Sequence, residues 1–209
     1  MKRAFIFDLD NTVFPVPSIG HQLFKPLFDL LTSAGIEKGK MDGIKYDVMR
    51  KPFQWVAKHY GLSQELTDRS IEILKTLKHS GEIVPYPDFN VIREYPGDKF
   101  IVTTGFTNMQ ASKVKALGLD TDFKGIFIID PTRTSESKKD VFEKIMQCHG
   151  YSAGETIIIG DDPDSEIKAA NELGVDSVLY DKLNVFPDAK ATHKISDYQQ
   201  LRHLLESKH

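Results

Sequence analysis

Five short apolar runs along the chain limit its fold more than any other feature. They lack the apolar–polar alternation of half-exposed strands and are rich in β-branched or aromatic residues, which is typical of parallel strands covered on both faces. The runs are Ala4–Leu9, Phe100–Thr104, Ile126–Ile129, Thr156–Ile159 and Ser177–Tyr180. Helical patterns separate the last four runs, so the order predicts an α/β fold with a doubly wound parallel sheet. Ligands of such sheets bind at the carboxyl ends of the strands.

Helical patterns follow the second, third, fourth and fifth of these runs. The predicted segments are Asn108–Leu117, a helix through Val141 and Met146, Pro163–Leu173, and Tyr198–Leu205. Two of them carry N-terminal capping signals. Thr107 with Gln110 predicts one capping box, and Ser137 with Asp140 indicates an N-cap just before Lys138.

The segment between the first two runs breaks the alternation, because it contains helical patterns only. Its predicted helices are Ile19–Ser33, Met41–Tyr60 with an interruption near Pro52, and Ser63–His79. We therefore predict a helical insertion over residues 14–84 and an α/β core over residues 1–13 and 85–209. Trp55 is expected in the interior of the insertion.

Composition excludes several classes of function. The net charge is −3, which gives no basic excess for binding a nucleic acid polymer or an anionic membrane. No apolar run approaches the 18 or more residues of a membrane span, and Asp8 and Asp10 interrupt the first apolar stretch, which argues against a secretory signal. Cys148 is the only cysteine. These features predict a protein of the reducing cytoplasm.

Polar residues follow four of the predicted strands. Asp8, Asp10 and Thr12 follow the first strand. Side chains two residues apart on an extended backbone point the same way, so these three are expected on one side. The other groups are Thr103, Thr104 and Gly105; Lys138 and Lys139; and Gly160, Asp161 and Asp162. Parallel strands bring these groups to one edge, where close carboxylates repel each other by roughly 4 kcal/mol per pair at an effective dielectric of 20. One lysine cannot offset the charges of Asp8, Asp10 and Asp161, so we predict a divalent cation. Oxygen ligands without histidine or cysteine favour Mg²⁺.

The order of these groups resembles the four motifs of the haloacid dehalogenase-like hydrolases. The resemblance covers the whole chain and implies a Rossmannoid core with a cap, of which the helical insertion resembles the C1 type. It implies that Asp8 is the nucleophile that forms an aspartyl-phosphate and that Asp10 is the general acid and base. It further implies that Thr104, Gly105 and Lys138 hold the phosphate, and that Asp8, the backbone carbonyl of Asp10, and Asp161 bind Mg²⁺. Thr12, Asp162 and Glu166 are expected around them, and Glu166 stands where the family usually has Asp.

Three pairs of neighbours compete for these roles. Thr104 is preferred to Thr103 because it lies nearer the strand end. Lys138 is preferred to Lys139, because a lysine in the first turn opposes the helix dipole and needs another reason to be there. Asp162 precedes Pro163, which favours Asp162 as an N-cap and leaves Asp161 as the metal ligand.

The function expected from the resemblance is a Mg²⁺-dependent phosphatase acting on a small phosphorylated metabolite, such as a nucleotide or a sugar phosphate. A phosphomutase is the main alternative, because it keeps both acids. Relatives that hydrolyse C–halogen or C–P bonds lack an acid at the position of Asp10. A non-enzymatic phosphoacceptor module is the remaining alternative, but such modules have neither this acid nor the helical insertion.

Overall fold

The sheet is fully parallel and places the first strand at its centre. The structure, a computed structural model of the chain, describes residues 1–207. Within them the strands are β1 (Ala4–Phe7), β2 (Asp98–Thr104), β3 (Gly125–Ile129), β4 (Thr156–Gly160), β5 (Asp176–Tyr180) and β6 (His193–Ile195). Their order is β3-β2-β1-β4-β5-β6, so β1 lies between β2 and β4. The predicted fold class is confirmed. β6 has no counterpart among the predicted strands, because it is too short and too polar to stand out.

The segment between β1 and β2 contains six helices joined by loops, and one isolated bridge between Asp10 and Phe14. Its helices are α1 (Pro17–Leu23), α2 (Lys25–Ser33), α3 (Lys38–Val48), α4 (Phe53–His59), α5 (Gln64–Thr76) and α6 (Phe89–Arg93). The prediction of one continuous helix over Ile19–Ser33 is wrong, because the chain breaks at Phe24 and Pro26 begins a new first turn. Trp55 is also not interior, since 43% of it is exposed and its ring stacks on His59 at 4.5 Å.

The helices of the second part follow the predicted order. They are α7 (Thr107–Ala116), α8 (Lys138–His149), α9 (Lys168–Glu172) and α10 (Tyr198–Glu206), with a π-helical segment, Pro163–Ile167, directly before α9. Ser137 and Asp140 form the expected reciprocal cap of α8. The capping box predicted for Thr107 and Gln110 is wrong. Phe106 is the N-cap of α7 and makes no side-chain bond there.

Two apolar layers cover the sheet on opposite faces. Phe5, Phe7 and Ile101 face one layer, which receives Val114 from α7 and Leu201 from α10. The alternate strand residues face the other layer, as expected for a pleated strand. These are Ala4, Ile6 and Val102, and they pack with Val141 and Phe142 from α8 and Ala170 from α9. The carboxyl end of β1 therefore emerges between two helical layers. No helix within residues 1–207 has the length and apolar character needed to cross a bilayer.

Candidate active site

The end of β1 delivers the first acid directly into the crevice between β2 and β4. The backbone N–H of Asp8 still donates to the carbonyl of Ile159 at 2.9 Å, and Asp8 is only 5% exposed. The chain then turns at Asn11, whose φ of 57° lies in the left-handed region that asparagine tolerates. The Asn11 side chain donates to the carbonyl of Met49 at 3.1 Å and accepts from the N–H of Val16 at the same distance. Asn11 thereby ties the loop after β1 to the helical segment.

Lys138 connects Asp8, just after β1, with Glu166 in the π-helical segment after β4. Its Nζ lies 2.5 Å from Oδ1 of Asp8 and also donates to Oε1 of Glu166. Lys138 is the first residue of α8, where the cap formed by Ser137 fixes the helix end. Of the two neighbouring lysines, Lys138 is thus the one that contacts these acids. Lys139 instead pairs with Glu172 on the surface at 3.0 Å.

The acids after β4 contact two cations from the helical segment. Arg50 Nη2 lies 3.8 Å from Asp161 Oδ2, and Lys51 Nζ lies 2.6 Å from Asp162 Oδ2. Asp162 also accepts the N–H of Asp164 at 2.9 Å, which is the N-cap contact predicted for it. Arg50 and Lys51 belong to no motif that would mark them as site residues from the sequence. Nothing in their spacing indicates that they face the carboxyl end of the sheet.

Asp10 is held by the helix that follows β2. Lys113 Nζ lies 2.9 Å from Asp10 Oδ1 and 2.8 Å from Oδ2, and Gln110 Nε2 lies 3.1 Å from Oδ2. Both side chains of α7 are buried, and 1% of Lys113 is exposed. The sequence gives no signal for Lys113, because a lysine on a helix is mostly solvent-exposed.

The threonines at the end of β2 both line the cavity, but in different environments. Thr103 is buried, and its Oγ1 accepts from Gln110 Nε2 at 2.6 Å. Thr104 is half-buried at the strand end. Gly105 also lines the cavity. Its N–H donates to the carbonyl of Ile129 at 3.0 Å, so this amide already has a hydrogen-bond partner within the sheet. A Cβ at Gly105 would lie 3.0 Å from the Gln110 side chain, so a larger residue there would push against Gln110.

The remaining predicted residues lie below this edge. Glu166 is 2% exposed, and a Cβ at Gly160 would stand 2.5 Å from its Cγ, so the glycine makes room for the longer acid. Thr12 is fully buried, and its carbonyl accepts from the hydroxyl of Tyr198 at 3.0 Å. Its own hydroxyl has no hydrogen-bond partner within the described part of the chain. Thr12 therefore lies beneath the site and lines no part of the cavity.

The surroundings of these groups disfavour the charged forms of Asp8 and Asp161. Burial raises the pKa of Asp8 to about 7, with Glu166 and Asp10 adding to the rise and Lys138 opposing it. Burial, Asp8 and Glu166 likewise raise the pKa of Asp161 well above its ordinary value, against the effect of Arg50 and Lys138. Burial alone would lower the pKa of Lys138, but Asp8 and Glu166 outweigh it and raise that pKa. The protein cations thus compensate the acids only in part.

This donor set suits a hard divalent cation. Asp8 and Asp161 offer buried carboxylate oxygens whose negative charges repel each other. The backbone carbonyl of Asp10, in the loop after β1, is the third predicted ligand. Across residues 1–207, no three acidic, histidine or cysteine side chains form a ready-made metal cluster. The predicted ligand set has two carboxylates and a carbonyl, and Mg²⁺ would need no third acidic side chain because it usually keeps several waters.

A cavity of about 310 Å³ lies over these groups. Its floor contains Asp8, Asp10, Lys138 and Asp161, and the helical segment and α7 supply mainly apolar walls. The wall residues include Val16, Phe24, Val48, Met49, Phe53, Leu74, Phe106 and Met109. A volume of this size is at the lower end of the range for small-molecule sites.

Comparisons with known proteins agree with this architecture. The family model of the haloacid dehalogenase-like hydrolases matches residues 2–174. YfnB from Bacillus subtilis is 26% identical over 97% of this chain and 95% of its own length. Pyrimidine 5′-nucleotidase PynA from Streptococcus pneumoniae is 30% identical, over 57% of this chain and 51% of that protein. Glyceraldehyde 3-phosphate phosphatase from Methanopyrus kandleri is 21% identical over 85% of this chain and 83% of that protein.

Solved structures show the same fold. A haloacid dehalogenase-like family protein from Streptococcus pneumoniae superposes with a TM-score of 0.74 at 18% identity, covering 98% of both chains. The structure of YfnB bound to magnesium gives a TM-score of 0.68 at 22% identity, covering 98% of this chain and 99% of that one.

Proposed function

The chain belongs to the haloacid dehalogenase-like hydrolases, and from this premise we propose that it is a Mg²⁺-dependent phosphatase. Its proposed reaction is hydrolysis of a small phosphomonoester through a phosphoryl group carried on Asp8. The observation that carries the proposal is the contact of the Asp8 carboxylate with Lys138 Nζ, at 2.5 Å, on the floor of the cavity. This contact holds a buried carboxylate at the sheet edge beside a cation that can bind phosphate oxygens.

Asp8 and Asp10 divide the chemistry between them in this proposal. An oxygen of Asp8 attacks phosphorus and forms a P–O bond while the bond to the ester oxygen breaks, and Asp10 gives that leaving oxygen its proton. Asp10 then takes a proton from the water that attacks the phosphoryl group on Asp8. Inorganic phosphate leaves and Asp8 is regenerated. Lys138 and the hydroxyl of Thr104 are proposed to hold the phosphate oxygens throughout.

Asp8, Asp161 and the Asp10 carbonyl are the groups proposed to hold Mg²⁺. When bound, the cation would neutralise negative charge that these acids and the phosphate bring together. The raised pKa values of Asp8 and Asp161 support this assignment, because burial and the neighbouring acids disfavour their charged forms and the nearby Lys138 and Arg50 oppose this only in part.

Residues 14–84 are proposed to form a cap that closes over the substrate, on a core formed by residues 1–13 and 85–209. Arg50 and Lys51 support this division, since they reach across the cavity from the cap to Asp161 and Asp162 of the core. Relatives whose names specify pyrimidine nucleotides, glyceraldehyde 3-phosphate and ribulose 1,5-bisphosphate support a small phosphorylated metabolite as substrate. We include a cytoplasmic location in the proposal, with which the free thiol of Cys148 is compatible.

The test is turnover of p-nitrophenyl phosphate by the wild type with Mg²⁺ and with EDTA. We expect activity with Mg²⁺ only, and its loss in Asp8→Asn. Asp120→Asn makes the same substitution at an exposed position and should keep full activity. Activity that persists in EDTA would exclude the cation, and activity in Asp8→Asn would exclude Asp8 as the nucleophile.

A panel of nucleoside monophosphates and sugar phosphates then identifies the substrate class. Release of inorganic phosphate is the expected outcome. Isomerisation of a sugar phosphate without phosphate release would instead favour a phosphomutase.

A further inference from the structure

We propose that Lys113, together with Gln110, is a positioning residue that fixes the carboxylate of Asp10 for proton transfer to the leaving group. The inference rests on the proposed function, because it assigns Lys113 a part in the same reaction. It predicts that these two residues matter most for esters whose leaving group needs a proton.

The first argument is the burial of the Lys113 ammonium. Lys113 is 1% exposed, and both oxygens of Asp10 lie within 3 Å of its Nζ. Nζ also lies 5.9 Å from the ring centre of Phe14, so the ammonium is covered on one side by an aromatic ring. A buried ion pair seldom stabilises a fold more than well-packed apolar residues would. Packing of α7 alone therefore gives no reason for a lysine at this position.

The second argument is that two side chains hold Asp10 from one rigid helix. Gln110 and Lys113 are three residues apart on α7 and so share a face. Gln110 Nε2 lies 3.1 Å from Asp10 Oδ2 and 2.6 Å from Thr103 Oγ1. Asp10 itself lies in the loop after β1, and 27% of its side chain is exposed. Without α7, its carboxylate would be free to take several orientations in the cavity.

The third argument separates Lys113 from Lys138, the proposed phosphate ligand. The ammonium of Lys113 is covered and its contacts run to Asp10, whereas Lys138 contacts Asp8, the proposed nucleophile. Lys113 therefore acts on the reaction through Asp10. Misplacing a reacting group by about 1 Å lowers rates by roughly 100-fold, which sets the scale of the expected effect.

The experiment measures leaving-group dependence in Lys113→Met. p-Nitrophenol leaves as a stable anion, whereas an alkoxide leaving group needs a proton. With Mg²⁺ and propyl phosphate, we expect kcat to fall about 100-fold with little change in KM, since general acid catalysis contributes about 10² to 10⁴. With p-nitrophenyl phosphate, the pre-steady-state burst of p-nitrophenol should slow by only a few-fold.

Matched controls isolate the contact with Asp10. Lys115→Met makes the same change on the exposed side of α7 and should leave both substrates unaffected. Adding Lys113→Met to Asp10→Asn should cause no further loss, because the two residues would act as a unit. Gln110→Met should reproduce the selective loss more weakly. It serves as the test if thermal melting shows that Lys113→Met is not folded.

Two outcomes overturn the inference. One is a burst of p-nitrophenol that slows as much as turnover of propyl phosphate, which would indicate a general structural role for Lys113. The other is a full effect of Lys113→Met in the Asp10→Asn background. Failure of the proposed function is recognised separately, because the wild type would then show no turnover or Asp8→Asn would keep it.

Discussion

Asp8→Asn should stabilise the cation-free protein at neutral and alkaline pH. The substitution replaces a carboxylate by a neutral side chain of nearly the same shape. Asp8 is 5% exposed, and burial together with Glu166 and Asp10 raises its pKa to about 7 despite Lys138. Removing its charge therefore relieves an unfavourable interaction that exists only in the folded state.

The sign and size of this effect follow from the pKa shift. A pKa raised on folding means that the folded state binds the proton more tightly, so stability falls as the pH rises from the unfolded to the folded pKa. For Asp8 this window runs from its ordinary value of 3.8 to about 7. Each pKa unit corresponds to about 1.4 kcal/mol, so the full effect on the free energy of unfolding is on the order of 4 kcal/mol. The advantage of Asp8→Asn should be about 2 kcal/mol at pH 5 and should reach its full size above pH 7.

Urea denaturation in EDTA at constant ionic strength, from pH 5 to pH 8, measures this difference. The wild type is compared with Asp8→Asn and with Asp120→Asn, whose exposed position should give a difference near zero at every pH. Adding Mg²⁺ should stabilise the wild type more than Asp8→Asn, because the cation compensates the charge that the variant lacks. A variant that is less stable than the wild type, or a gap that does not grow with pH, would refute the electrostatic reasoning.

Two further predictions concern Lys138 and Gly160. Lys138→Met should lower kcat/KM for p-nitrophenyl phosphate by roughly 100-fold or more. Lys139→Met removes only a surface pair with Glu172 and should not change kcat/KM. Equal activity of the two variants would contradict Lys138 as a phosphate ligand. Gly160→Ala should lower the free energy of unfolding by about 1–3 kcal/mol, because the new Cβ would stand 2.5 Å from Glu166 Cγ. Gly154→Ala, where the Cβ meets nothing within 4 Å, is the control in urea denaturation, and a similar change in both would show that Glu166 is not crowded.

The sequence predicts those parts of the molecule that depend on local patterns. Apolar runs covered on both faces predict β1 to β5, and the cap of α8 follows from Ser137 and Asp140 because the bonded groups are three residues apart. Asp8 and Asp161 come together because parallel strands end at the same edge. The placement of Asp162 as an N-cap follows in the same way from the adjacent Pro163.

The missed features depend on contacts between residues distant in sequence. Lys113 and Asp10 are 103 residues apart, and no local pattern relates them. Gln110 fits a capping box by spacing, but its amide turns inward to Asp10 instead of capping α7. Trp55 is apolar enough for a core, yet the packing of α4 leaves it partly exposed. The orientation of Arg50 toward Asp161 depends on how the helical insertion lies over the sheet.

Lys113 and Lys138 approach the end of β1 from helices that cover opposite faces of the sheet. Asp8 and Asp10 are near neighbours in the chain, yet each is bound by a different layer of the protein. A substitution that shifts α7 should thus move Asp10, the proposed general acid, without moving Asp8, the proposed nucleophile, and a shift of α8 should do the reverse. If the proposed roles hold, selection or engineering can adjust nucleophilic attack and proton transfer separately on this scaffold.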